Sequence, residues 1–260
     1  RRDVPIDLDR ETLAVTAPDE AELRKIFDEL EFRSLADKIL NKSENKPKQV
    51  NTQLDLFAEN PSDGAELFKN ASKNNVDTTP HNYELIENEE QAQKLCDFLL
   101  TSKKVSLDTE TTSTDAIDAE LVGLSFSVEP HKAFYVAVPA EREKAQTIVN
   151  IFKPLYESPE ILKIGQNIKY DMEVLMRYGV TLAAPMFDTM LAHYVLHPEQ
   201  RHGMDYLADV LLDYHTITID SLIGPKGKGQ KSMRDVPPAD VCPYAAEDAD
   251  ITLQLYNVLE

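Results

Sequence analysis

The chain has 260 residues, a hydrophobic content of 42% and a formal net charge of −19, from 27 basic and 46 acidic residues. This length and apolar content predict one or two domains with a substantial core. The acidic surplus disfavours a protein that binds nucleic acid over an extended basic surface, because phosphate contacts require Lys and Arg.

The two cysteines, Cys96 and Cys242, lack the spacing of metal ligands and favour a reduced, cytoplasmic protein. No apolar run approaches the ~18 residues of a membrane-spanning helix, and no signal peptide is recognised, so we expect no membrane partner. The chain begins with Arg1 rather than Met, and we expect it to be part of a longer protein.

Two segments precede the main α/β part of the chain. Residues 1–41 carry apolar side chains at helical spacing, and Thr16 or Asp19 is suited to cap the first helix. Residues 42–80 are polar and lack periodicity, which predicts a flexible linker. An apolar island in this linker either packs onto the protein or is a linear binding motif. It comprises Gln53, Leu54, Asp55, Leu56 and Phe57.

Residues 81–260 have the pattern of an α/β or α+β domain, in which a mixed sheet carries helices on its faces. Asn88 and Gln91 form a capping-box signature at the start of a helix. The three strands predicted after that helix indicate an antiparallel meander. Strands are predicted at residues 83–86, 105–110, 121–128, 133–138 and 161–164, and further helices at 141–156 and along most of the chain after 164.

Asp108 and Glu110 end the second predicted strand. Because strand side chains alternate between faces, these two carboxylates should project side by side. Their mutual repulsion is relieved when a divalent metal such as Mg²⁺ or Mn²⁺ lies between them. For an isolated Asp-x-Glu, a solvated strand end is the more common explanation.

Two further acidic motifs follow. Asp171 lies in the first turn of a helix after Asn167, where an Asp also complements the helix dipole. Tyr244 and Asp248 share one face of the last helix, although such residues are often merely exposed. Each motif is weak by itself, and their combination and order are specific.

The three motifs together resemble the 3′–5′ exonucleases of the DEDD family, in the variant that uses a tyrosine. The resemblance covers about residues 81–260, with its clearest matches at residues 107–111, 165–171, 187–190 and 244–252. In particular, it points to the proofreading domain of the bacterial family A DNA polymerases, the DNA polymerase I family. Residues 1–41 resemble the C-terminal helical tail of that family's 5′-nuclease domain.

The resemblance implies a ribonuclease H-like fold and hydrolysis at the 3′ end of single-stranded DNA by two divalent cations, Mg²⁺ or Mn²⁺. Asp108 would bridge both ions, Glu110 and Asp248 would complete the first site, and Asp171 would serve the second. Tyr244 would hold the attacking water. A polymerase domain in the same protein and a location at the bacterial nucleoid are also implied.

The resemblance places further residues beside the terminal nucleotides, although simple surface solvation is the alternative for each. They are Thr109, Gln166, Asn167, Tyr170, Arg201 and Ile219. Asp188 and His202 are expected to be structural. Two departures from the family pattern predict a weaker grip on DNA. Residues 111–114 lack the leucine that relatives often have, and Ile219 replaces an aromatic that stacks on a base.

The sequence also bears on three other functions. The loop at residues 224–232 nearly matches a phosphate-binding loop, but Gln230 replaces the required lysine, so a basic patch formed with Arg234 is the better interpretation. Glu110 disfavours a phosphatase with an Asp-x-Asp nucleophile. A catalytically inert DNA-holding domain stays open as the alternative to an exonuclease, although the complete ligand set argues against it.

The pentapeptide from Gln53 to Phe57 resembles the motif by which bacterial replication proteins bind the sliding clamp. Its leucine and aromatic residues would enter apolar pockets, and its glutamine would supply a directional hydrogen bond. The sliding clamp is therefore an expected partner.

Overall fold

The computed structural model describes residues 19–29, 74–227 and 229–260. The chain divides into two units, residues 1–60 and 61–260. In the first unit, helix α1 (Glu20–Glu29) begins after Asp19. The Oδ1 atom of Asp19 accepts hydrogen bonds from the N–H groups of Ala21 and Glu22 at 3.0 Å, which confirms the predicted cap. The pentapeptide from Gln53 to Phe57 lies outside the described residues.

The second unit is built on a mixed sheet of six strands in the order β2-β5-β4-β3-β6-β7. The central strands β3, β4 and β5 are antiparallel, which confirms the predicted meander, and the β2–β5, β3–β6 and β6–β7 pairs are parallel. A separate two-residue parallel pair joins β1 to β8. The strands are β1 (Asn74–Asn75), β2 (Asn82–Ile86), β3 (Lys104–Thr111), β4 (Leu121–Glu129), β5 (Lys132–Ala137), β6 (Leu162–Gly165), β7 (Met186–Asp188) and β8 (Tyr214–His215).

Helices cover both faces of this sheet. They are α2 (Glu89–Leu99), α3 (Arg142–Tyr156), α4 (Ile168–Met176), α5 (Thr189–Leu196), α6 (Met204–Leu207), α7 (Ile219–Ile223) and α8 (Pro238–Leu259), with a π-helical segment at Ala208–Leu212 and a 3₁₀ turn at Met233–Asp235. Asn88 caps α2 by accepting a hydrogen bond from the N–H of Gln91 at 2.9 Å. None of the described helices is long and apolar enough to cross a membrane.

The main core lies between one face of the sheet and helices α2, α3 and α4. At its centre the rings of Phe126 on β4 and Phe152 on α3 stack with 4.8 Å between their centroids, and both side chains are fully buried. On the other face, α8 packs against β3, β4 and β5. Ala245, Ala246 and Ala249 are fully buried, and these small side chains allow α8 to lie close to the strands.

Phe152→Ala should destabilise the protein by about 3–5 kcal/mol, because it leaves a cavity in the main core. Phe98→Ala is the matched control, since Phe98 on α2 is 42% exposed and its loss should cost about 1 kcal/mol or less. Urea denaturation followed by circular dichroism measures both. Equal losses would show that the main core is not centred on the Phe126–Phe152 stack.

Candidate active site

Strand β3 and helix α8 together form a cluster of three carboxylates. Asp108 and Glu110 point to the same face of β3, as their spacing predicts, and Asp248 reaches them from α8. One oxygen from each carboxylate lies within 4.8 Å of the others. Glu110 and Asp248 are buried, and Asp108 is partly exposed. The structure therefore brings these three predicted residues into one group that could hold a metal ion.

Asp171 stands apart from this group of three, on helix α4. It is buried, and its Oδ1 atom accepts a hydrogen bond from the Thr109 hydroxyl at 2.7 Å. Thr109 lies between Asp108 and Glu110 in the sequence, so a single strand carries two carboxylates of the cluster and the hydroxyl that holds the fourth.

Burial raises the pKa of all four carboxylates, and the charges of neighbouring carboxylates raise three of them further. Burial raises the pKa of Asp108 to about 6, although a hydrogen bond from the Thr109 N–H acts in the opposite direction. The pKa of Glu110 is raised well above its usual value by burial and then by the charges of Asp108 and Asp171. Burial also raises the pKa values of Asp171 and Asp248, and the charge of Asp108 adds to both. The site is therefore short of positive charge.

Tyr244 lies one turn before Asp248 on α8 and packs against a buried cluster that includes Val241 and Tyr135. Its pKa is raised by burial and then by the charges of Asp248, Glu110 and Asp108. The hydroxyl is therefore protonated at neutral pH and can donate a hydrogen bond at the edge of the cluster.

Gly123 on β4 makes room for the ring of Tyr135. It is the β-sheet partner of Glu110, and a Cβ atom at this position would overlap the ring of Tyr135. The packing next to Glu110 thus requires a residue without a side chain at position 123.

Asp188 fixes the start of two helices near the cluster. Its carboxylate accepts hydrogen bonds from Ile168 N at 3.0 Å, Leu191 N at 3.1 Å and Asn167 N at 3.2 Å. It therefore caps α5 and also holds the first turn of α4, which carries Asp171. This confirms the structural role predicted for Asp188.

Three of the predicted DNA contacts are already engaged within the protein. Thr109 holds Asp171, and the Tyr170 hydroxyl lies 2.5 Å from the Thr111 hydroxyl. The Gln166 amide donates to the carbonyl of His202 at 2.7 Å, and its oxygen accepts from Thr189.

The other three predicted contacts, Asn167, Arg201 and Ile219, are exposed. Their roles toward DNA stay predictions. His202 has the hydrogen-bonded position predicted for it, because its Nδ1 atom lies 2.8 Å from Nδ1 of His193.

Sequence reasoning missed the two buried acids that anchor α8. Glu247 accepts hydrogen bonds from the Tyr214 hydroxyl at 2.7 Å and from Ile217 N at 2.6 Å. Asp250 accepts from the Tyr83 hydroxyl and from His131 N, both at 2.8 Å. The signal was the run Glu-Asp-Ala-Asp in a helix that is otherwise largely apolar.

The chain is similar to several known proteins. Residues 83–260 match the family model described as 3′–5′ exonuclease. DNA polymerase I of Pseudomonas aeruginosa is 31% identical over 269 residues, covering 100% of this chain and 27% of that protein. DNA polymerase I of Chloroflexus aurantiacus is 30% identical over 275 residues, covering 99% of this chain and 28% of that protein. The chain thus spans about a quarter of the length of these relatives.

Among solved structures, Brucella melitensis NrnC with bound Mg²⁺ matches with a TM-score of 0.51 and 21% identity, covering 70% of this chain and 80% of that one. The mixed sheet with helices on both faces is therefore the ribonuclease H-like fold of the DEDD exonucleases. The chain belongs to the 3′–5′ exonuclease family of bacterial DNA polymerase I, and it is a nuclease domain. The family and the fold predicted from the sequence are both confirmed.

The loss of one helix cap costs about 1 kcal/mol. Asp188→Ala should destabilise the protein by more than this, because three N–H groups lose their acceptor. Asn88→Ala, which frees one N–H group at the start of α2, is the matched single-cap control. Chemical denaturation of both variants measures the difference. Losses of the same size would mean that Asp188 does not hold α4.

Proposed function

We propose that this chain hydrolyses the terminal phosphodiester bond at the 3′ end of single-stranded DNA and releases nucleoside 5′-monophosphates, using two divalent cations, Mg²⁺ or Mn²⁺. The observation that carries this proposal is the cluster of Asp108, Glu110 and Asp248, with one oxygen of each within 4.8 Å of the others. DNA, rather than RNA, is the proposed substrate because the relatives that match are DNA polymerases.

The donor set fits hard divalent cations. All the grouped ligand atoms are carboxylate oxygens, which Mg²⁺ and Mn²⁺ prefer. Burial and repulsion raise the pKa values of these groups, and bound cations would favour their ionised forms. The Mg²⁺ in the NrnC structure, which has the same fold, supports this choice.

Asp108, Glu110 and Asp248 would hold one cation, and Asp108 with Asp171 would hold the second. When bound, the two cations supply activation of a water molecule and stabilisation of the leaving 3′-oxygen. Thr109 keeps the Asp171 carboxylate oriented through its 2.7 Å hydrogen bond. Asp188 holds the first turn of the helix that carries Asp171.

Tyr244 is proposed to orient the attacking water. Its raised pKa makes it a hydrogen-bond donor and a poor base at neutral pH. Since Tyr244 and Asp248 are one helical turn apart, the water would be held next to the carboxylates of the cluster.

Six residues are proposed to contact the terminal nucleotides: Thr109, Gln166, Asn167, Tyr170, Arg201 and Ile219. Because the Tyr170 hydroxyl is bonded to Thr111, its contact would come from the ring. Exposed Ile219 and Arg201 can reach a base and a phosphate from the surface.

The organisation of the longer protein is also a proposal. Residues 1–41 would end a 5′-nuclease domain, residues 42–80 would be a linker whose last part pairs with the second unit through strand β1, and residues 81–260 would form the exonuclease domain. A polymerase domain in the same protein is proposed because the relatives are DNA polymerases of about four times this length. The protein would act in the bacterial cytoplasm at the nucleoid, and the pentapeptide from Gln53 to Phe57 would tether it to the sliding clamp.

Asp108→Ala should reduce the release of 5′-monophosphates from a labelled single-stranded oligonucleotide by several orders of magnitude, because it removes the shared ligand. EDTA should abolish activity of the unchanged protein. Asp240→Ala, which removes an exposed acid from the same helix as Asp248, is the control and should retain activity. Near-full activity of Asp108→Ala, or cleavage in EDTA, would contradict the proposal.

Tyr244→Phe should lower kcat and leave Mn²⁺ binding unchanged, because the hydroxyl orients water and is not a ligand. Asp248→Ala should impair both. Oligonucleotide cleavage gives kcat, and calorimetric titration with Mn²⁺ gives the affinity. The assignment fails if Tyr244→Phe weakens Mn²⁺ binding as much as Asp248→Ala does.

A synthetic peptide of residues 49–60 should bind a bacterial sliding clamp at micromolar strength, as expected for a segment that becomes ordered on binding. The double substitution Leu56→Ala and Phe57→Ala should abolish binding. Calorimetry on the peptide and on the whole chain measures this. Absence of binding by both would make the pentapeptide a packing element instead.

A further inference from the structure

The second unit contains an arginine-lined pocket away from the acidic cluster. Between residues 74 and 260 the sequence has four arginines, and three of them line this pocket of about 230 Å³. The lining residues are Glu120, Ala140, Arg142, Arg177, Tyr178 and Arg234. We propose that this pocket binds a backbone phosphate of the DNA strand whose 3′ end lies in the acidic cluster. This inference rests on the proposed function.

The three guanidinium groups are held in place by neutral groups. Arg142 lies over the ring of Tyr178 at 3.6 Å from the centroid and donates to the carbonyl of Arg177. Arg177 donates to the carbonyls of Ala116 and Ala119. Their positions are thus fixed before any ligand arrives, which reduces the entropy lost on binding.

Arg234 is held in the same way. It donates to the carbonyl of Val138 at 2.5 Å and to that of Leu121. Its buried Nε atom has no hydrogen-bond partner among the described residues. Two of the five N–H donors of Arg234 are used by these carbonyls, so donor capacity remains on a guanidinium group that is already positioned at the pocket.

The arginines that line the pocket make no direct ion pair within the described residues, although Arg234 interacts electrostatically with Glu141. Within residues 74–227 and 229–260, no arginine takes part in an ion pair at 4.0 Å or less, and Glu120 is the single acid among the lining residues. Each guanidinium has five N–H donors in a planar fork that matches phosphate oxygens. A cationic pocket of this kind stands out on a chain with a net charge of −19.

The pocket is connected to the acidic cluster through shared elements. Arg234 bonds Leu121, whose strand partner Thr111 directly follows Glu110. Arg177 directly follows helix α4, six residues after Asp171, and six residues correspond to about 9 Å along the helix axis. In a stacked strand, which rises by about 3.4 Å per nucleotide, this length corresponds to about three nucleotides. Along the helix axis, Arg177 therefore lies about as far from Asp171 as a phosphate a few nucleotides from the 3′ end lies from that end.

The test compares Arg142→Glu with Lys144→Glu, which makes the same charge change on the same helix outside the pocket. Both side chains are exposed. Binding of a fluorescent 12-nucleotide single strand is measured by anisotropy on an Asp108→Ala background at several salt concentrations. Arg142→Glu should weaken binding about tenfold, as for the loss of one charged hydrogen bond. Its salt slope should fall by about 0.7, the value for one phosphate contact on a single strand.

Substrate length separates this inference from the proposed function. On the otherwise unchanged chain, Arg142→Glu should cleave a dinucleotide, which is too short to reach the pocket, at the rate of the unchanged chain. It should cleave the 12-nucleotide strand with a higher KM. If neither substrate is cleaved by any of these proteins, the proposed function fails, and the anisotropy experiment still tests the pocket.

Equal affinity of Arg142→Glu and Lys144→Glu for the 12-nucleotide strand would overturn the inference. A second result would also overturn it. If inorganic phosphate at constant ionic strength raises Tm, and Arg142→Glu abolishes that rise without changing DNA affinity, the pocket binds a free anion. Circular dichroism checks the fold of each variant. Arg142→Gln provides the same test if the charge reversal does not fold.

Discussion

The main constraint on the structure is the repulsion between carboxylates that are held together where β3 meets α8. Asp108, Glu110 and Asp248 share one small volume, and Asp171 lies near enough for its charge to raise the pKa of Glu110. Because the folded-state pKa of Asp108, about 6, exceeds the usual value for an Asp, near 3.9, its charged form destabilises the fold at neutral pH. The destabilisation is relieved as the pH falls through about 6, or when a cation binds.

Interactions in the rest of the second unit hold these like charges in place. Glu247 and Asp250 flank Asp248 in the sequence. Through hydrogen bonds they connect α8 to Ile217 and Tyr83, respectively. On the other side of β3, Asp188 and Thr109 restrain Asp171. Both sets of anchors are hydrogen bonds to buried or partly buried groups, and removal of one partner leaves the other unsatisfied. Rigidity around the cluster is therefore a property of these anchors.

Much of the site could be predicted from the sequence because its main members obey local periodicities. Asp108 and Glu110 share a face because strands alternate, and Tyr244 and Asp248 share a face because they are one helical turn apart. The meander and the cap at Asn88 follow from equally local signals. Their union in one site came from the family resemblance, since no local rule brings β3 next to α8.

The parts that could not be predicted all involve partners that are remote in the sequence. The bond between Thr109 and Asp171 spans 62 residues, and that between Tyr83 and Asp250 spans 167. The same holds for the arginine-lined pocket, which draws Arg142, Arg177 and Arg234 from three separate elements. The sequence indicated a basic patch that includes Arg234, but it could not show which other arginines face the same pocket.

The central claim is that the carboxylate cluster is a site for divalent cations and is destabilising without them. Thermal unfolding of the unchanged chain and of Asp108→Asn, each in EDTA and in Mg²⁺, tests this most directly. A ligand that binds the folded state raises Tm, so Mg²⁺ should raise Tm of the unchanged chain and leave Asp108→Asn nearly unaffected. In EDTA, Asp108→Asn should be at least as stable as the unchanged chain, because one of the repelling charges is gone. An unchanged Tm of the unsubstituted chain in saturating Mg²⁺ would contradict the claim.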